Sequence, residues 1–319
     1  MGDILKYSLF FIALFLIELI YFRIVHKYNV IDRPNKRSSH DNIAFIGGGI
    51  IFYISILLYF LLNEFYSPYF FVGLSLVTIV SFLDDLKAVS IKTRIIIQVI
   101  SILLMFYQCN FYIFSIPVVM VVLPLYVGIL NAYNFMDGIN GITGLYSIVL
   151  IVTLSYFNKS EHFVDNSLLY CIGLALLVFL FFNFRKKAIC FAGDVGSISI
   201  AFIILFLLTL LILKTRDLSY IIVLAVYGVD SVLTIIHRIF LKENIFEAHR
   251  KHMYQIMANE LHLSQLLVSI IYSLSQALII IGFIYLFDYK WIYIACICVL
   301  LIVTYIFFTK KYYHLLSNK

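Results

Sequence analysis

Four carboxylates carry the first chemical signal in this sequence. Asp84 and Asp85 stand side by side in SFLDDLK, Asp137 lies in NAYNFMDGINGITG (131–144), and Asp194 lies in FAGDVGS (191–197). Taken alone, the Asp84-Asp85 pair reads as an interfacial stop paired to Lys87. Adjacent carboxylates nevertheless repel and resist desolvation unless a cation or base is present, which gives them a competing role in metal binding or proton abstraction. The 131–144 segment is more demanding, because Asn131, Asn134 and Asp137 recur every third residue among apolar neighbours, with Gly138, Gly141 and Gly144 beside them. That spacing predicts one helical face, and the glycines let backbone approach a ligand closely. A turn aspartate such as Asp194 is common by itself. Four acids converging on one site would instead require a hard divalent cation, which makes Mg2+ the natural partner, with Mn2+ as its substitute.

A second signal lies in HRIFLKENIFEAHRKHMYQ (237–255). His237, Arg238, His249, Arg250, Lys251 and His252 make an anion-binding set, since guanidinium and imidazole suit phosphate. Topology alone explains Arg250 and Lys251; it does not explain His249 and His252, whose spacing predicts one helical face.

The elements that must position these residues are membrane helices. The chain has 319 residues, 63% hydrophobic and 13% charged, with a mean hydropathy of +1.03. So little charge cannot cover so large an apolar interior in water, so soluble enzyme and transcription-factor classes drop out. The net charge of +6 does not point to nucleic acid, because the basic residues sit in short clusters between apolar runs. Five scattered cysteines form no disulfide or metal spacing. Runs this long and uniformly apolar exclude an outer-membrane barrel. Eleven spans are expected, roughly at 4–24, 43–62, 68–84, 95–112, 116–134, 142–157, 167–184, 197–213, 219–237, 264–286 and 290–309. The fold class is therefore all-α, a single polytopic bundle over 1–319. Its first run is too long for a signal-peptide core and is expected to stay as an anchor.

Eighteen of the 23 Lys and Arg fall on one side of this series and five on the other. The positive-inside rule puts the first side in the cytoplasm, with the N-terminus outside and the C-terminus inside. Asp32, Asp41, Asp84, Asp85, Asp137, Asp194, Glu243, Glu247 and Glu260 fall on that same face, and only Glu18 and Asp230 lie within spans. An ion- or proton-coupled transporter would use similar carboxylates, but with inverted repeats and midplane charge that the sequence lacks. A non-catalytic scaffold would need no clustered acids.

Together, DRPNKRSSH (32–40) with GGG (47–49), LDDLK (83–87), NAYNFMDGING (131–141), FAGDVGS (191–197), Asp230 with HR (237–238) and FEAHRKHMYQ (246–255) resemble the ordered motifs of the polyprenyl-phosphate N-acetylhexosamine-1-phosphate transferases. The AHRKHMYQ form resembles the branch that starts lipopolysaccharide O-chains with N-acetylfucosamine or N-acetylquinovosamine. Asn140 stands where many members carry Asp, His249 where Asp is frequent, and IAFIGGG lacks the usual Pro. The resemblance implies transfer of a sugar 1-phosphate from a UDP-N-acetyl sugar to undecaprenyl phosphate at the cytoplasmic face of the inner membrane, in O-antigen or cell-wall polysaccharide synthesis. It further implies catalytic roles for Asp84, Asp85 and Asp137, and Mg2+ on Asp194 with Asp137. Substrate contacts would come from Asn134, Asn140, Lys87, His249, Arg250, His252, Arg33 and Arg37. A homodimer in membrane lipid is the expected assembly.

Overall fold

The computed structural model describes residues 2–32, 44–111, 115–244 and 249–316. The helices follow in chain order as α1 (Gly2–Lys27), α2 (Ile50–Leu62), α3 (Pro68–Leu86), α4 (Ile91–Gln108), α5 (Ile116–Phe135), α6 (Ile142–Glu161), α7 (Asn166–Asn183) and α8 (Gly193–Thr215). A 3-10 segment, Leu218–Leu224, leads into α9 (Ala225–Phe240); the single turn α10 (Met253–Gln255), then α11 (Gln265–Tyr285) and α12 (Lys290–Tyr312), complete the bundle. Among the described residues, ten helical segments are long and apolar enough to cross a membrane, and the all-α polytopic reading stands.

Local chemistry sets the ends. Ser90 accepts the amide of Thr93 at the start of α4, and Asp165 accepts that of Ser167 at the start of α7, each satisfying a donor that a first helical turn leaves unpaired. Pro68 opens α3, where its missing N–H costs nothing.

The second span is where the sequence-based boundary fails. A helix was expected over 43–62, yet α2 has only 13 residues, about 20 Å at 1.5 Å per residue and short of the roughly 30 Å hydrocarbon core. The preceding residues form β2 (Ala44–Phe45), paired antiparallel with β1 (Ile31–Asp32), and Phe45 also bridges to Cys190. Gly47 has φ +77°, which no helix accommodates. A Cβ on Gly49 would sit 2.3 Å from Gly196 Cα, so α2 and α8 cross backbone to backbone.

α8 is the axis of the bundle and is buried along nearly its whole length. α2, α3, α5 and α6 pack around it. Because the helices alternate in direction, one end of the bundle collects the C-termini of α3, α5, α7 and α9 and the N-termini of α2, α4, α6 and α8. The carboxylates singled out above lie at that end.

Candidate active site

Two adjacent acids at the end of α3 do different work. Asp85 turns onto α8, accepting the amides of Asp194 at 2.9 Å and Val195 at 3.0 Å. It caps α8 from a neighbouring helix, taking two of the donors that a helix start leaves free. Gly193, at φ +70°, is required here, since a Cβ would lie 2.6 Å from Asp85 Oδ2. Asp84 faces α4 instead. Its Oδ1 accepts the Val89 amide at 2.6 Å, and its Oδ2 accepts from the Arg94 guanidinium at 2.5 Å.

The same guanidinium nitrogen lies 3.4 Å from Asp194 Oδ2. Asp194 Oδ1 in turn accepts from Asn134 Nδ2 at 2.8 Å, and Asn134 also donates to Ser197 Oγ at 2.9 Å. Asp84, Arg94, Asp194 and Asn134 therefore form one continuous polar chain across α3, α4, α8 and α5. Asp137 stands beside it, accepting from Thr143 Oγ1 at 2.6 Å. Burial pushes its carboxyl up to about 7, and the neighbouring charge of Asp194 adds to this against the lowering effect of Thr143.

The expected single face of Asn131, Asn134 and Asp137 is not what forms. α5 ends at Phe135, so Asp137 lies in the turn beyond it. Asn131 donates to Gln98 Oε1 at 2.9 Å and ties α5 to α4, while Asn134 turns to α8. Asn140 is buried at the turn's far side, its side chain donating to the Arg185 carbonyl at 2.9 Å and its backbone amide donating to Gln265 Oε1 at 3.0 Å. Lys87 is exposed at the end of α3. Arg33 and Arg37 lie outside the described residues.

The described residues 249–252, just ahead of α10, lie at this end. His249 and His252 were expected on one helical face, but the segment before Met253 is extended, with His252 at φ −63° and ψ 147°. Their rings still meet, with centroids 4.9 Å apart. The His249 imidazole is pushed down to about 3 by burial, and then by His252, Arg238 and Lys251, so at neutral pH it is an uncharged ring, not a cationic phosphate grip. Lys251 pairs with Glu243, and Arg250 has Glu260 as its acidic neighbour. Tyr254 in α10 docks the loop onto the 135–138 turn by donating to the Phe135 carbonyl at 2.8 Å. A Cβ on Gly138 would lie 2.2 Å from that tyrosine oxygen.

These groups open onto a cavity of about 520 Å³ between α4, α5 and α9. Its lining combines polar groups, Arg94, Asn131, Asn134, Asp194, His249 and His252, with apolar ones, including Ile91, Ile95, Val127 and Ile235. An anionic headgroup on a long hydrocarbon matches that combination.

Among the described residues, no three His, Cys, Asp or Glu side chains form a ready metal cage. Mg2+ does not need one, because it is commonly held by one or two carboxylates completed by water and substrate phosphates. Asp84 and Asp194, drawn together by one guanidinium, supply that kind of donor set.

The principal residue missing from the sequence-based set is Arg94. Its signal was available, since Lys92 and Arg94 place positive charge in the first turn of α4, against the helix dipole, which calls for an acidic partner. Of the two acids expected inside spans, Asp230 is fully bonded, whereas neither carboxyl oxygen of buried Glu18 has a hydrogen-bond partner among the described residues.

Residues 67–212, which contain Asp84, Asp85, Arg94, Asn134, Asp137 and Asp194, match the model for Glycosyl transferase family 4. The chain is 29% identical over 253 residues to the probable undecaprenyl-phosphate N-acetylglucosaminyl 1-phosphate transferase of Bacillus subtilis (strain 168), covering 73% of this chain and 70% of the relative. It is 25% identical over 210 residues to the undecaprenyl-phosphate alpha-N-acetylglucosaminyl 1-phosphate transferase of Escherichia coli O157:H7, covering 58% and 56%. With the phospho-N-acetylmuramoyl-pentapeptide-transferase of Thermotoga petrophila it shares 29% over 171 residues, covering 48% and 56%. The central segment that builds the site thus matches glycosyl transferase family 4, and the chain is similar to membrane enzymes named for transfer of sugar 1-phosphates to undecaprenyl phosphate.

Proposed function

We propose that this protein is a phospho-glycosyltransferase that moves an N-acetylated hexosamine or deoxyhexosamine 1-phosphate from a UDP-sugar to undecaprenyl phosphate, releasing UMP. The product, an undecaprenyl-diphospho-sugar, initiates O-antigen or a related envelope polysaccharide at the cytoplasmic face of the inner membrane. One observation carries the reading: three members of the Asp84–Arg94–Asp194–Asn134 chain, Arg94, Asn134 and Asp194, line a cavity whose other lining residues are largely apolar.

An oxygen of the acceptor phosphate attacks the sugar-bearing phosphorus of the donor. The bond from that phosphorus to the bridging oxygen breaks, and the oxygen leaves with UMP. Both reactants are anionic, so repulsion must be offset where they meet. Asp194, with Asp84 or Asp137, would hold Mg2+, which would supply neutralising positive charge to the reacting phosphates. Arg94 holds Asp84 and Asp194 close enough to share it, and Asn134 fixes the rotamer of Asp194. Asp85 keeps the start of α8, and so Asp194, in register with α3. The apolar walls admit the polyprenyl chain from the bilayer.

The test is Mg2+-dependent UMP release in membranes carrying the protein, with and without polyprenyl phosphate, across a panel of UDP-sugars. Acceptor-dependent release with one donor supports the reading and identifies the sugar. Absence of release with every donor sinks it. Asp194→Asn should abolish turnover while the protein still accumulates folded in the membrane, since charge is removed at nearly constant size.

A further inference from the structure

Asp230 lies in α9, outside the Asp84–Asp194 chain, and is 3% exposed. Its Oδ2 accepts from Tyr272 of α11 at 2.6 Å, and its Oδ1 accepts from Thr234 at 3.2 Å. Those two bonds belong to the helix core. Two further contacts leave the core and reach the loop: the Met253 amide donates to Oδ1 at 3.1 Å, and His252 Nδ1 lies 3.4 Å from the same oxygen.

His252 is 1% exposed and lines the cavity. Neither ring nitrogen has a hydrogen-bond partner among the described residues, Nδ1 standing off Asp230 at 3.4 Å and Nε2 being left for the cavity. A buried polar nitrogen left unpaired is costly, so an atom presented to a cavity in this way is one a ligand would satisfy. Eight residues further along α9, on the same helical face, buried Arg238 donates to Glu243 at 3.2 Å and to the Asn244 carbonyl at 2.5 Å. α9 therefore holds residues 243–244 and 252–253 with buried charge.

We propose that Asp230 is a positioning residue for the transfer reaction. It fixes the loop over the cavity and orients His252 with Nδ1–H toward the carboxylate and Nε2 toward a phosphate oxygen of the substrates. A carboxylate behind an imidazole sets its tautomer and balances the charge the ring takes on when it donates to an anion. The inference rests on the transferase reading for what Nε2 meets; the fastening of the loop stands apart from it.

Two measurements test the proposal. Hydrogen exchange over residues 250–255 needs no substrate: Asp230→Ala should speed it at least about tenfold, because the Met253 amide loses its acceptor. Asp230→Asn, which keeps the side chain's size, should speed it less and serves if Asp230→Ala does not accumulate. Unchanged exchange overturns the anchor, whatever the activity. In the UMP-release assay, Asp230→Asn should lower kcat about 10- to 100-fold, the range typical of a lost orienting partner, with a smaller change in the donor KM. In a His252→Ala background, Asp230→Asn should cost nothing further, because it acts through that ring. Additive losses, or wild-type kcat in Asp230→Asn, overturn the positioning role. If the wild-type protein releases no UMP, the transferase reading fails by itself and the exchange result still decides the anchor.

Discussion

At the scale of single residues, the site is organised by a cation that the acids need before any substrate arrives. Arg94 reaches Asp84 and Asp194 with one nitrogen, and the two carboxylates would otherwise repel in a partly dry pocket. Lysine carries the charge, but its compact ammonium ends a shorter stem and does not bring a donor to the place where the Arg94 guanidinium nitrogen stands between the two carboxylates. Arg94→Lys should therefore reduce turnover by about tenfold or more, the equivalent of one lost charge-assisted hydrogen bond at roughly 1.5–3 kcal/mol. Arg94→Lys with wild-type turnover would remove Arg94 from the machinery. Asp137 gives a second residue-scale test. Its carboxyl, raised to about 7 by burial and then by Asp194, holds a proton in the folded protein that the unfolded chain releases near pH 4. The folded state binds more protons between those values, so this group's contribution to stability is full below about pH 4 and is lost as pH rises toward 7. Metal-free protein should melt higher at about pH 5 than at about pH 7.5, and Asp137→Asn should flatten that slope. Mg2+ competes with the proton, so its stabilising effect should grow over the same interval. A metal-free melting series that stays flat from about pH 5 to 7.5 would refute the first statement, and parallel series with and without Mg2+ would refute the second. Asp84, Asp137, Asn134 and Asp194 were legible from sequence because carboxylates and amides are conspicuous in apolar runs; Arg94 passed for a topological charge because its partners, Asp84 and Asp194, stand on other helices.

At the scale of elements, apolar run length revealed the helices, while their ends depended on partners that no local pattern contains. The span expected at 43–62 shortens to α2 because Gly47 takes a positive φ and Gly49 meets Gly196 across α8. The face expected for Asn131, Asn134 and Asp137 breaks because α5 stops at Phe135, and the helix expected for His249 and His252 gives way to extended backbone. In each case a long-range contact overrides a periodic pattern. Gly193 is the clearest lever on this scale. Its positive φ costs a side chain roughly 1–2 kcal/mol, and a Cβ there would strike Asp85 at 2.6 Å, displacing the cap of α8 and moving Asp194. Gly193→Ala should cost about 100-fold in turnover, the scale of a misplacement near 1 Å. Gly173→Ala is the control: its Cβ would meet only Ile151, at 3.9 Å, so turnover and melting temperature should match wild type. Equal turnover in the two variants would mean that the α3–α8 junction does not set the site's geometry.

At the scale of the whole molecule, alternation of the helices gathers the acids, the loop and the basic clusters at one end, and the bilayer turns that end into a direction. The charge asymmetry of eighteen against five is a statement about orientation that packing cannot make, because an inverted bundle has identical internal contacts. The proposed chemistry needs the basic end in the cytoplasm, where UDP-sugars are made. Lys87 at the end of α3 and Lys159 near the end of α6 are both exposed and lie at opposite ends of the bundle. In a background with exposed Cys296 and neighbouring Cys298 replaced by Ala, Lys87→Cys should resist a membrane-impermeant maleimide in intact cells and react once the cells are opened. Lys159→Cys should react in both. Neither position belongs to the Asp84–Arg94–Asp194–Asn134 chain, so each variant's turnover can be followed on the same preparation. The opposite labelling pattern would put the carboxylates outside, away from the nucleotide donor, and would overturn the transferase reading even with every distance in the site unchanged.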